Sequence, residues 1–498
     1  MNPVSTQTEA SQSAAGRRRL LVLAICSVSL LIVGLDVTIV NVALPSIGRS
    51  FHSALSGLQW TVDAYTLVLA SLLMLSGSAG DRFGRRRVFL TGLVLFSAGS
   101  LACALAPSLG LLVAFRAFQA IGGAMLSPST MAIVRNTFTD PRERAQAIGV
   151  FAAMAGISMA LGPVLGGFLV SAVSWRAVFL VNLPVGLAAI VLAARFVPES
   201  SAPRPRRLDP AGQVLVIAAL TTLTYAVIEG GRAGFGTARI VILLAVAAGC
   251  LAGLVPCELR RGDPLLEVRF FTSAPFAGAS AIALCLSAAL GGFLLMNTLY
   301  LQDVRGLTAL HAGLCMLPTA AMMIIFAPVS GHLTGRFGTR PSMCAGGLAV
   351  MASGLMLTGL APRTPLPYLL GAYAVFGLGF ALVSPPIAST AVSGMPPSQA
   401  GVASAVATTS RQAGLTLGVA VSGVVAGEGP GGQISPGFAH ATRPGWWIVA
   451  ALGLMVAALG YLTTTSWARD TARRTAEHLQ DPGPATQGQG MAVPADGR

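Results

Sequence analysis

The sequence predicts an all-helical integral membrane protein with two related six-helix bundles and two extra central helices, or fourteen transmembrane helices in total. Composition is the first reason, because 54% of the 498 residues are hydrophobic and 10% are charged, whereas about a quarter are charged in soluble domains. The second reason is a series of apolar stretches of roughly 20 residues, the length that crosses a bilayer. The third is a loop, Gly77 to Val88, that returns in looser form at Gly331 to Arg340. Repeated loops between apolar runs indicate two related halves.

The predicted spans divide into three groups in chain order. Residues 20–196 form the N-terminal six-helix bundle, residues 197–274 hold the two additional helices and flanking cytoplasmic loops, and residues 275–467 form the C-terminal six-helix bundle. Residues 1–19 are predicted to be a cytoplasmic tail, and residues 468–498, rich in Pro, Gly, Gln and Ala, a disordered cytoplasmic tail. The spans lie near 20–43, 57–79, 88–106, 109–132, 145–170, 177–196, 211–229, 238–256, 275–301, 311–333, 342–361, 366–388, 401–426 and 446–467.

The charge of the chain indicates its orientation in the membrane. All 32 basic residues are arginines, and the net charge is +14. Most of these arginines lie in short loops on one side of the predicted spans, and positive residues favour the cytoplasmic side. We therefore expect both termini in the cytoplasm. The membrane explains the charge better than nucleic acid does, so we expect the lipid bilayer as a partner and no nucleic acid.

The sequence contains no pattern typical of a metal site, a disulfide framework or an enzyme. Its seven cysteines are scattered, mostly within apolar runs, and never form a C-x-x-C pair. We interpret them as small apolar residues that fill space between helices. A nucleotide-binding loop, an H-E-x-x-H motif and a nucleophile elbow are all missing from the sequence. A non-transporting membrane sensor or a membrane-embedded enzyme remains the alternative from a different class.

The loop between the second and third spans combines glycines, one acid and several arginines. Glycines let two helices approach at a tight turn, and arginines hold that turn in the cytoplasm; a simple positive-inside anchor is the alternative. The loop resembles the motif that joins helices 2 and 3 in the major facilitator superfamily, although Ala79 stands where leucine is usual. This resemblance implies the major facilitator fold and a latch on the cytoplasmic side. The residues that fit the motif are Gly77, Asp81, Arg82, Gly84, Arg85 and Arg86.

Asp36 is the first candidate for chemistry, because it lies with Thr38 and Asn41 at the apolar end of the first span. Placing an ionised acid in a span costs about 2.5–3.5 kcal/mol, and such an acid can bind and release a proton. The alternative is that Asp36 lies at the helix end and is exposed to water on the outer side of the membrane. The run from Leu35 to Pro45 resembles the first-helix motif of the fourteen-span drug:proton antiporters. In that group the aspartate is implicated in proton coupling or cation recognition.

Asp63 and Arg116 are further candidates in the second and fourth spans. Asp63 corresponds to an acid of the same family, but it lies only one turn into its span, where a hydrated acid at a helix N-terminus is equally expected. Arg116, Gln119 and Gly123 share one helix face, and the run resembles the family's fourth-helix motif. We hypothesise that Arg116 faces the cavity and responds to protonation of Asp36, directly or through water. The alternative is that the Arg116 side chain extends to the membrane–water interface on the outer side.

Arg411 lies within the predicted span 401–426, in a run that also resembles the family pattern. A guanidinium within a span needs a partner, and this one can pair within the bundle. Whether Arg411 reaches the cavity stays open at this stage.

A stripe of small residues runs along the fifth span. Gly156, Ala160, Pro163 and Gly167 recur at helical spacing, which lets a neighbouring helix pack closely, and Pro163 can bend the span. The stripe alone indicates only tight packing. However, Gly162-Pro163-x-x-Gly166-Gly167 resembles the motif associated with antiporters in this superfamily.

Taken together, these resemblances imply a proton-driven antiporter of the bacterial cytoplasmic membrane that exports small, mostly hydrophobic drugs or antibiotics. Such a protein takes protons and a small-molecule substrate as partners, needs no cofactor besides the proton gradient, and is expected to be monomeric. An exporter dedicated to one endogenous metabolite, such as a self-made antibiotic, is an alternative that the sequence leaves open.

Overall fold

The computed structural model describes residues 3–201, 209–261, 267–393, 400–426 and 438–480. Across these residues every regular element is a helix. Twelve helices in the described chain have the length and apolar character needed to cross a membrane. The protein is therefore an all-helical, multi-pass membrane protein.

The N-terminal half consists of long helices that begin at recognisable caps. Ser108 and Asp140 accept backbone hydrogen bonds at the starts of the fourth and fifth helices, and Pro141 occupies the first turn of the fifth, where its missing N–H is not needed. A short break near Val181 divides the sixth span into two helices. The helices are α1 (Pro3–Phe51), α2 (Leu55–Phe83), α3 (Arg85–Ala104), α4 (Leu109–Thr137), α5 (Pro141–Ala172), α6 (Ala177–Leu180) and α7 (Asn182–Phe196).

Two helices, α8 (Pro210–Ala233) and α9 (Ala238–Leu259), follow the N-terminal half. Asp209 caps α8 through the Gly212 amide and pairs with Arg261 at 2.5 Å, which joins the ends of the α8–α9 hairpin. In sequence these helices occupy the position predicted for the two additional spans.

The C-terminal half repeats the pattern of long helices. A short 3-10 helix at Val268–Thr272 precedes it, and a π-helical turn at Tyr300–Val304 ends its first helix. The helices are α10 (Ala274–Leu299), α11 (Ala309–Cys315), α12 (Leu317–Phe337), α13 (Thr339–Leu357), α14 (Leu366–Ala391), α15 (Ala400–Ala426), α16 (Phe438–Ala441), α17 (Arg443–Leu462) and α18 (Ser466–Gln480).

The structure does not confirm all fourteen predicted spans. The segments predicted as spans 342–361 and 401–426 form α13 and α15, but these two helices are not among the twelve that satisfy both length and hydropathy. Each helix carries one arginine, Arg340 in α13 and Arg411 in α15, and glycine, serine and threonine, which favour close helix packing, dilute its apolar character further.

The two halves pack internally in matching ways. In the N-terminal half α1 packs on α5, and α2 packs on α4; in the C-terminal half α10 packs on α15, and α12 packs on α14. Across the seam between the halves, α2 packs on α15, α5 packs on α11 and α12, and α1 packs on α10. The α8 helix lies against α2 and α15, so it borders the seam from outside the two bundles.

The chain ends contain more helix than the sequence predicts. The first helix begins at Pro3, within the predicted tail 1–19. The predicted disordered tail 468–498 is helical up to Gln480, because α18 buries Ala468, Ala472 and Thr475 on one face and presents charged residues on the other. The rest of that prediction, residues 481–498, lies outside the described residues.

Candidate functional site

Asp36 and Arg116 form a buried ion pair inside the N-terminal half. The Arg116 Nη1 lies 2.5 Å from the Asp36 Oδ2, and the two side chains are 1% and 0% exposed. Arg116 also donates through Nε to the Thr61 carbonyl at 3.2 Å and through Nη1 to the Gln119 Oε1 at 2.8 Å. The sequence hypothesis that Arg116 responds directly to Asp36 therefore has the contact it requires.

Polar side chains from three helices complete the surroundings of Asp36. Its Oδ1 accepts hydrogen bonds from Gln119 Nε2 at 3.0 Å and from Asn182 Nδ2 at 3.1 Å. The Ser100 hydroxyl accepts from the same two amides and donates to the Phe179 carbonyl at 2.9 Å. Both carboxylate oxygens of Asp36 are thus satisfied, as a buried charge requires.

Aromatic rings enclose this cluster. The Arg116 Cζ lies 4.2 Å from the centroid of the Tyr65 ring and 5.7 Å from that of Phe179, so the guanidinium stacks on π faces that stabilise a cation. Every partner of Asp36 named here belongs to the N-terminal half. The ion pair therefore lies within that half, not on a surface shared with the other one.

The sequence did not reveal Ser100, Tyr65 or Asn182 as site residues. Asn182 begins α7, and its role depends on α7 packing beside α1 and α3. An asparagine at the start of a span was the available signal, because a polar amide in a membrane interior needs a partner.

Asp63 is fully buried but does not join the Asp36 cluster. Neither of its carboxylate oxygens has a hydrogen-bond partner among the residues that the structure describes. Its neighbours one turn away on α2, Gln59 and Thr66, both bind α15 of the other half. Asp63 thus lies on the face of α2 that meets the seam, and the expectation of a hydrated helix-end acid does not match this burial.

Arg411 lies on α15 and is exposed. No ion pair joins it to another residue within the described part of the chain. On α15, Thr416 contacts α2, while Gly414 and Gly418 pack against α10. Helical spacing places Arg411 on the α10-facing side of α15, one turn before Gly414. The structure does not bring Arg411 to Asp36 or Arg116.

The small-residue stripe of α5 contacts both halves. A Cβ at Gly162 would overlap the Thr38 hydroxyl of α1, and one at Gly167 would overlap the Ala309 carbonyl of α11. Gly166 packs against α1, whereas Gly156 and Pro163 face α12 and α11 respectively. The helix that carries the motif therefore lies in direct contact with α1, which bears Asp36, and with the opposite half.

The loop between α2 and α3 holds the N-terminal half together. Asp81 pairs with Arg85 at 2.8 Å, and the Arg86 guanidinium donates to the Ala194 carbonyl of α7. The Arg86 amide donates to the Glu199 carboxylate at 3.1 Å. Gly84 has a φ of 102°, which favours glycine, and its α-carbon faces Glu199 closely.

The other members of this loop add little to that network. Gly77 lies against Pro128 of α4, and Arg82 is exposed above the Phe83 ring. Glu199, which the sequence gave no reason to select, is the main anchor of the loop. All the contacts described for the loop stay within the N-terminal half.

The C-terminal half carries aromatic residues where the N-terminal half carries the ion pair. Phe293, Tyr373 and Phe376 follow Asp36, Arg116 and Gln119 in the chain by one constant interval. The rings of Phe293 and Phe376 stack with centroids 4.0 Å apart, and the Tyr373 hydroxyl donates to the Asn297 side chain at 2.6 Å. The second half thus repeats the position of the site without its charge.

The two halves meet closely at the end opposite the arginine loops. Arg49 pairs with Asp303 across the seam at 3.3 Å, and Gln302 donates to the Val42 carbonyl at 2.8 Å. At the centre of the seam a cavity of about 20 Å³ remains, lined by Thr38 of α1 and by residues of α10 and α12. This is room for about one water molecule. The space beside Thr38 in the seam is therefore narrow.

The described residues also contain no group of three or more His, Cys, Asp or Glu side chains placed to hold a metal ion.

Two matched helical halves that meet at a seam, with a buried ion pair in one of them, define a secondary transporter of the membrane. The chain belongs to the major facilitator superfamily, whose family model matches residues 26–419. It is accordingly a multi-pass membrane transporter and not an enzyme.

Curated relatives of this chain are bacterial efflux proteins. The multidrug resistance protein Stp of Mycobacterium tuberculosis is 40% identical over 409 residues, which cover 82% of this chain and 76% of Stp. The tetracenomycin C resistance and export protein of Streptomyces glaucescens is 35% identical over 419 residues, with 84% and 78% of the two chains covered. The chain is thus similar to multidrug and antibiotic resistance proteins.

Solved structures share the fold at low sequence identity. A peptide transporter, POT, matches with a TM-score of 0.64 and 16% identity over 91% of this chain and 95% of that one. A bacterial homologue of the human lysosomal transporter Spinster, in an inward-facing and unoccupied conformation, matches with a TM-score of 0.61 and 18% identity over 92% and 98%. These likenesses support the fold alone.

Proposed function

We propose that the protein is a proton-driven antiporter that exports small, mostly hydrophobic drugs or antibiotics from the cytoplasm and so confers resistance to them. The observation that carries this proposal is the Asp36–Arg116 pair, a carboxylate and a guanidinium held together out of water. A proton that binds Asp36 removes the negative charge and weakens this pair. Few other groups in the membrane interior can couple a proton to a change in structure so directly.

The contacts around the pair provide a route from the proton to the seam. After protonation of Asp36, Arg116 keeps the Gln119 and Thr61 oxygens as partners, so the cluster has a second arrangement that satisfies the guanidinium. Thr38 lies half a turn beyond Asp36, lines the central cavity and packs against Gly162 of α5. A shift of α1 therefore acts on α5, and α5 acts on α11 of the other half.

The proton gradient supplies sufficient energy for export. One elementary charge that crosses the membrane contributes about 2.3 kcal/mol per 100 mV. Because each factor of ten in concentration requires about 1.4 kcal/mol, one proton supports a substrate gradient of about 1.6 decades, or roughly 40-fold, at that voltage. The proposed cycle needs no cofactor, and we propose that a single chain carries it out.

We further propose that α13 and α15 also cross the bilayer, which gives fourteen spans. Their 19 and 27 residues correspond to about 28 Å and 40 Å at 1.5 Å per residue, against a hydrocarbon core of about 30 Å. Each packs along helices that qualify as spans, α13 against α14 and α17, and α15 against α10 and α2. Neighbouring protein replaces lipid around them, so lower hydropathy is tolerated.

The arginine distribution supports a cytoplasmic location for both termini and for the α2–α3 loop. With this orientation the contacts of Arg49, Gln59 and Gln302 across the seam lie on the outer side. We therefore propose that the state described is closed to the outside. Export then requires these outer contacts to break after substrate has entered from the cytoplasm.

The relatives support export of drug-like molecules but leave two substrate ranges. Stp is named a multidrug resistance protein, whereas the Streptomyces glaucescens protein is named for resistance to and export of tetracenomycin C. We favour the broad range, because the multidrug protein shares 40% identity and the single-compound protein 35%. A dedicated exporter of one endogenous compound is the second candidate.

The experiment that tests the proposal compares wild-type protein with Asp36→Asn in a bacterial host that lacks its own pumps. Tolerance is measured to a panel of structurally unrelated dyes and antibiotics, with an empty vector as the sensitive control and membrane protein levels matched. We expect tolerance to several compounds with the wild type and none with Asp36→Asn. Equal tolerance in both strains excludes Asp36 from the mechanism, and protection against one compound alone favours the dedicated exporter.

A further inference from the structure

The surroundings of Asp63 differ from those of Asp36 in one decisive way. Both Asp36 oxygens have partners within the N-terminal half, whereas both Asp63 oxygens are buried without a hydrogen bond among the described residues. On α2, Gln59 and Thr66 flank Asp63 by one turn on either side, and both bind α15. The burial of Asp63 thus depends in part on a helix of the opposite half.

The α8 helix covers the remaining side of Asp63. Trp60, also one turn from Asp63, packs on Tyr225 of α8 with ring centroids 5.8 Å apart. Asp63 therefore lies where α2, α8 and α15 meet. Thr224, which is 1% exposed, lies on the same face of α8 as Gln213, three turns earlier. Gln213 contacts α2, so this buried face of α8 is directed toward α2 at the depth of Asp63.

The attachment of α8 to the two halves is unequal. The Gln213 Nε2 donates to the Ser71 carbonyl of α2 at 2.6 Å, and the Gln213 side chain is buried. Toward α15, α8 makes an apolar contact between Gly231 and Val424, and no side-chain hydrogen bond joins α8 to α15 in the described residues. Because a buried hydrogen bond resists separation and a smooth apolar contact allows sliding, α8 is bound to α2 more firmly than to α15.

We infer that α8 is a fixed extension of the N-terminal half that seals Asp63 from the bilayer, so that water reaches this acid only when α15 moves away. The inference rests on the proposed alternating-access function and gives one of the two additional helices a role in it. Without α8, a carboxyl with no partner would face hydrocarbon on that side, which is costly. The α9 helix packs against α8, and only 17% of the apolar stretch of α9 is buried inside the protein.

Two cross-links test whether α8 belongs to the N-terminal half. In a full-length protein whose seven native cysteines are replaced, one variant carries Gly231→Cys with Val424→Cys, which joins α8 to α15. A Cβ at Gly231 would lie 3.0 Å from that of Val424, close to the ~3.5–4.5 Å of a disulfide. The matched variant carries Trp60→Cys with Tyr225→Cys, joined by a short bifunctional thiol reagent, which connects α8 to α2.

Transport of the panel compound that the untethered protein exports best is measured in proteoliposomes before and after each link is formed. We expect the α8–α15 link to reduce transport at least tenfold, with recovery on reduction, and the α8–α2 link to change it less than twofold. Equal inhibition by both links, or by neither, overturns the inference. If the protein without cross-links exports nothing, the proposed function is wrong. The labelling experiment described next then tests whether α8 seals Asp63 from the bilayer.

Labelling with the lipid-soluble reagent dicyclohexylcarbodiimide tests the seal without transport. The reagent adds to a protonated carboxyl: the carboxyl oxygen bonds to the central carbon of the carbodiimide as the proton moves to its nitrogen, which gives an acylisourea. Gln213→Ala removes the hydrogen bond that fixes α8, and Val214→Ala, at a residue that is 62% exposed, is the matched control.

In mildly acidic buffer we expect mass spectrometry to find Asp63 labelled at least fivefold faster in Gln213→Ala than in the wild type or the control. Loss of the adduct in Asp63→Asn identifies the site. Equal labelling in all three proteins, including none in any, overturns the seal.

Discussion

Removing both members of the Asp36–Arg116 pair should destabilise the protein less than the sum of the two single losses. Arg116→Gln leaves a carboxylate that is 0% exposed without its cation, and Asp36→Asn leaves a guanidinium that is 1% exposed without its anion. Breaking a buried pair in this way costs about 3–5 kcal/mol. In the double variant two neutral amides occupy the site, and they retain hydrogen-bonding partners in Gln119 and Asn182. We therefore expect the double variant to lose less than the sum of the single losses by at least 2 kcal/mol or so.

The assay is thermal or denaturant unfolding of the purified protein in detergent, with the four proteins of the double-variant cycle compared at equal concentration. Transport is measured in parallel, and all three variants are expected to be inactive as proton-coupled exporters. Additive losses of stability, or single variants as stable as the wild type, would refute the reasoning, because either result means that the two side chains do not depend on each other.

Three further outcomes follow from the geometry. Gly167→Val places a branched side chain against the backbone of α11, so we expect export to fall at least tenfold at an unchanged amount of protein in the membrane. The control Gly149→Ala, at a position with open space, should leave resistance intact. Equal resistance in both strains would contradict the close approach of α5 to α11. Glu199→Gln weakens exposed contacts of the α2–α3 loop, so the loss in stability should not exceed about 1 kcal/mol in a thermal-shift measurement. A much larger loss would show that this loop contributes more to the stability of the protein than exposed contacts do. Asp303→Asn removes the charge from the half-buried pair with Arg49 across the seam. This should increase labelling of a cysteine introduced at the outer end of the seam by about two- to fivefold, since such a pair contributes about 1 kcal/mol; unchanged labelling would show that this pair does not hold the outer side closed.

Sequence patterns predicted the helical architecture and the residues of the central pair, because both depend on local signals. Long apolar runs define the spans, and an isolated Asp36 or Arg116 in such a run needs a partner somewhere nearby. The hypothesis that Asp36 and Arg116 act together came from the resemblance to a family motif, and in the structure the Arg116 Nη1 lies 2.5 Å from the Asp36 Oδ2. The remainder of the cluster depends on helix packing that no local pattern records. Asn182 contacts Asp36 because α7 packs beside α1, and Ser100 joins the cluster through Asn182 and Gln119 because α3 packs on α7 and α4.

The same limit explains the differences at Asp63 and at the C-terminal end. Asp63 lies one turn into the second span, a position compatible with contact with water. The sequence could not show that α8 and α15 cover the face of α2 that carries Asp63. The segment 468–480 looked like a tail because it is polar overall, yet its small residues recur at helical spacing and pack on the protein. The α13 and α15 helices each carry an arginine besides glycine, serine and threonine, so twelve of the described helices, rather than fourteen, have both the length and the hydropathy of a span.

The central claim, that a proton on a buried carboxyl drives export, is tested most directly with purified protein in sealed vesicles. A gradient of pH and voltage is imposed, movement of a transported compound and of protons is recorded together, and ionophores then collapse both gradients. The account predicts opposite and coupled movement that stops when the gradients are removed and that is missing in the Asp36→Asn variant. Undiminished accumulation of the compound after both gradients are collapsed, or in that variant, would contradict it.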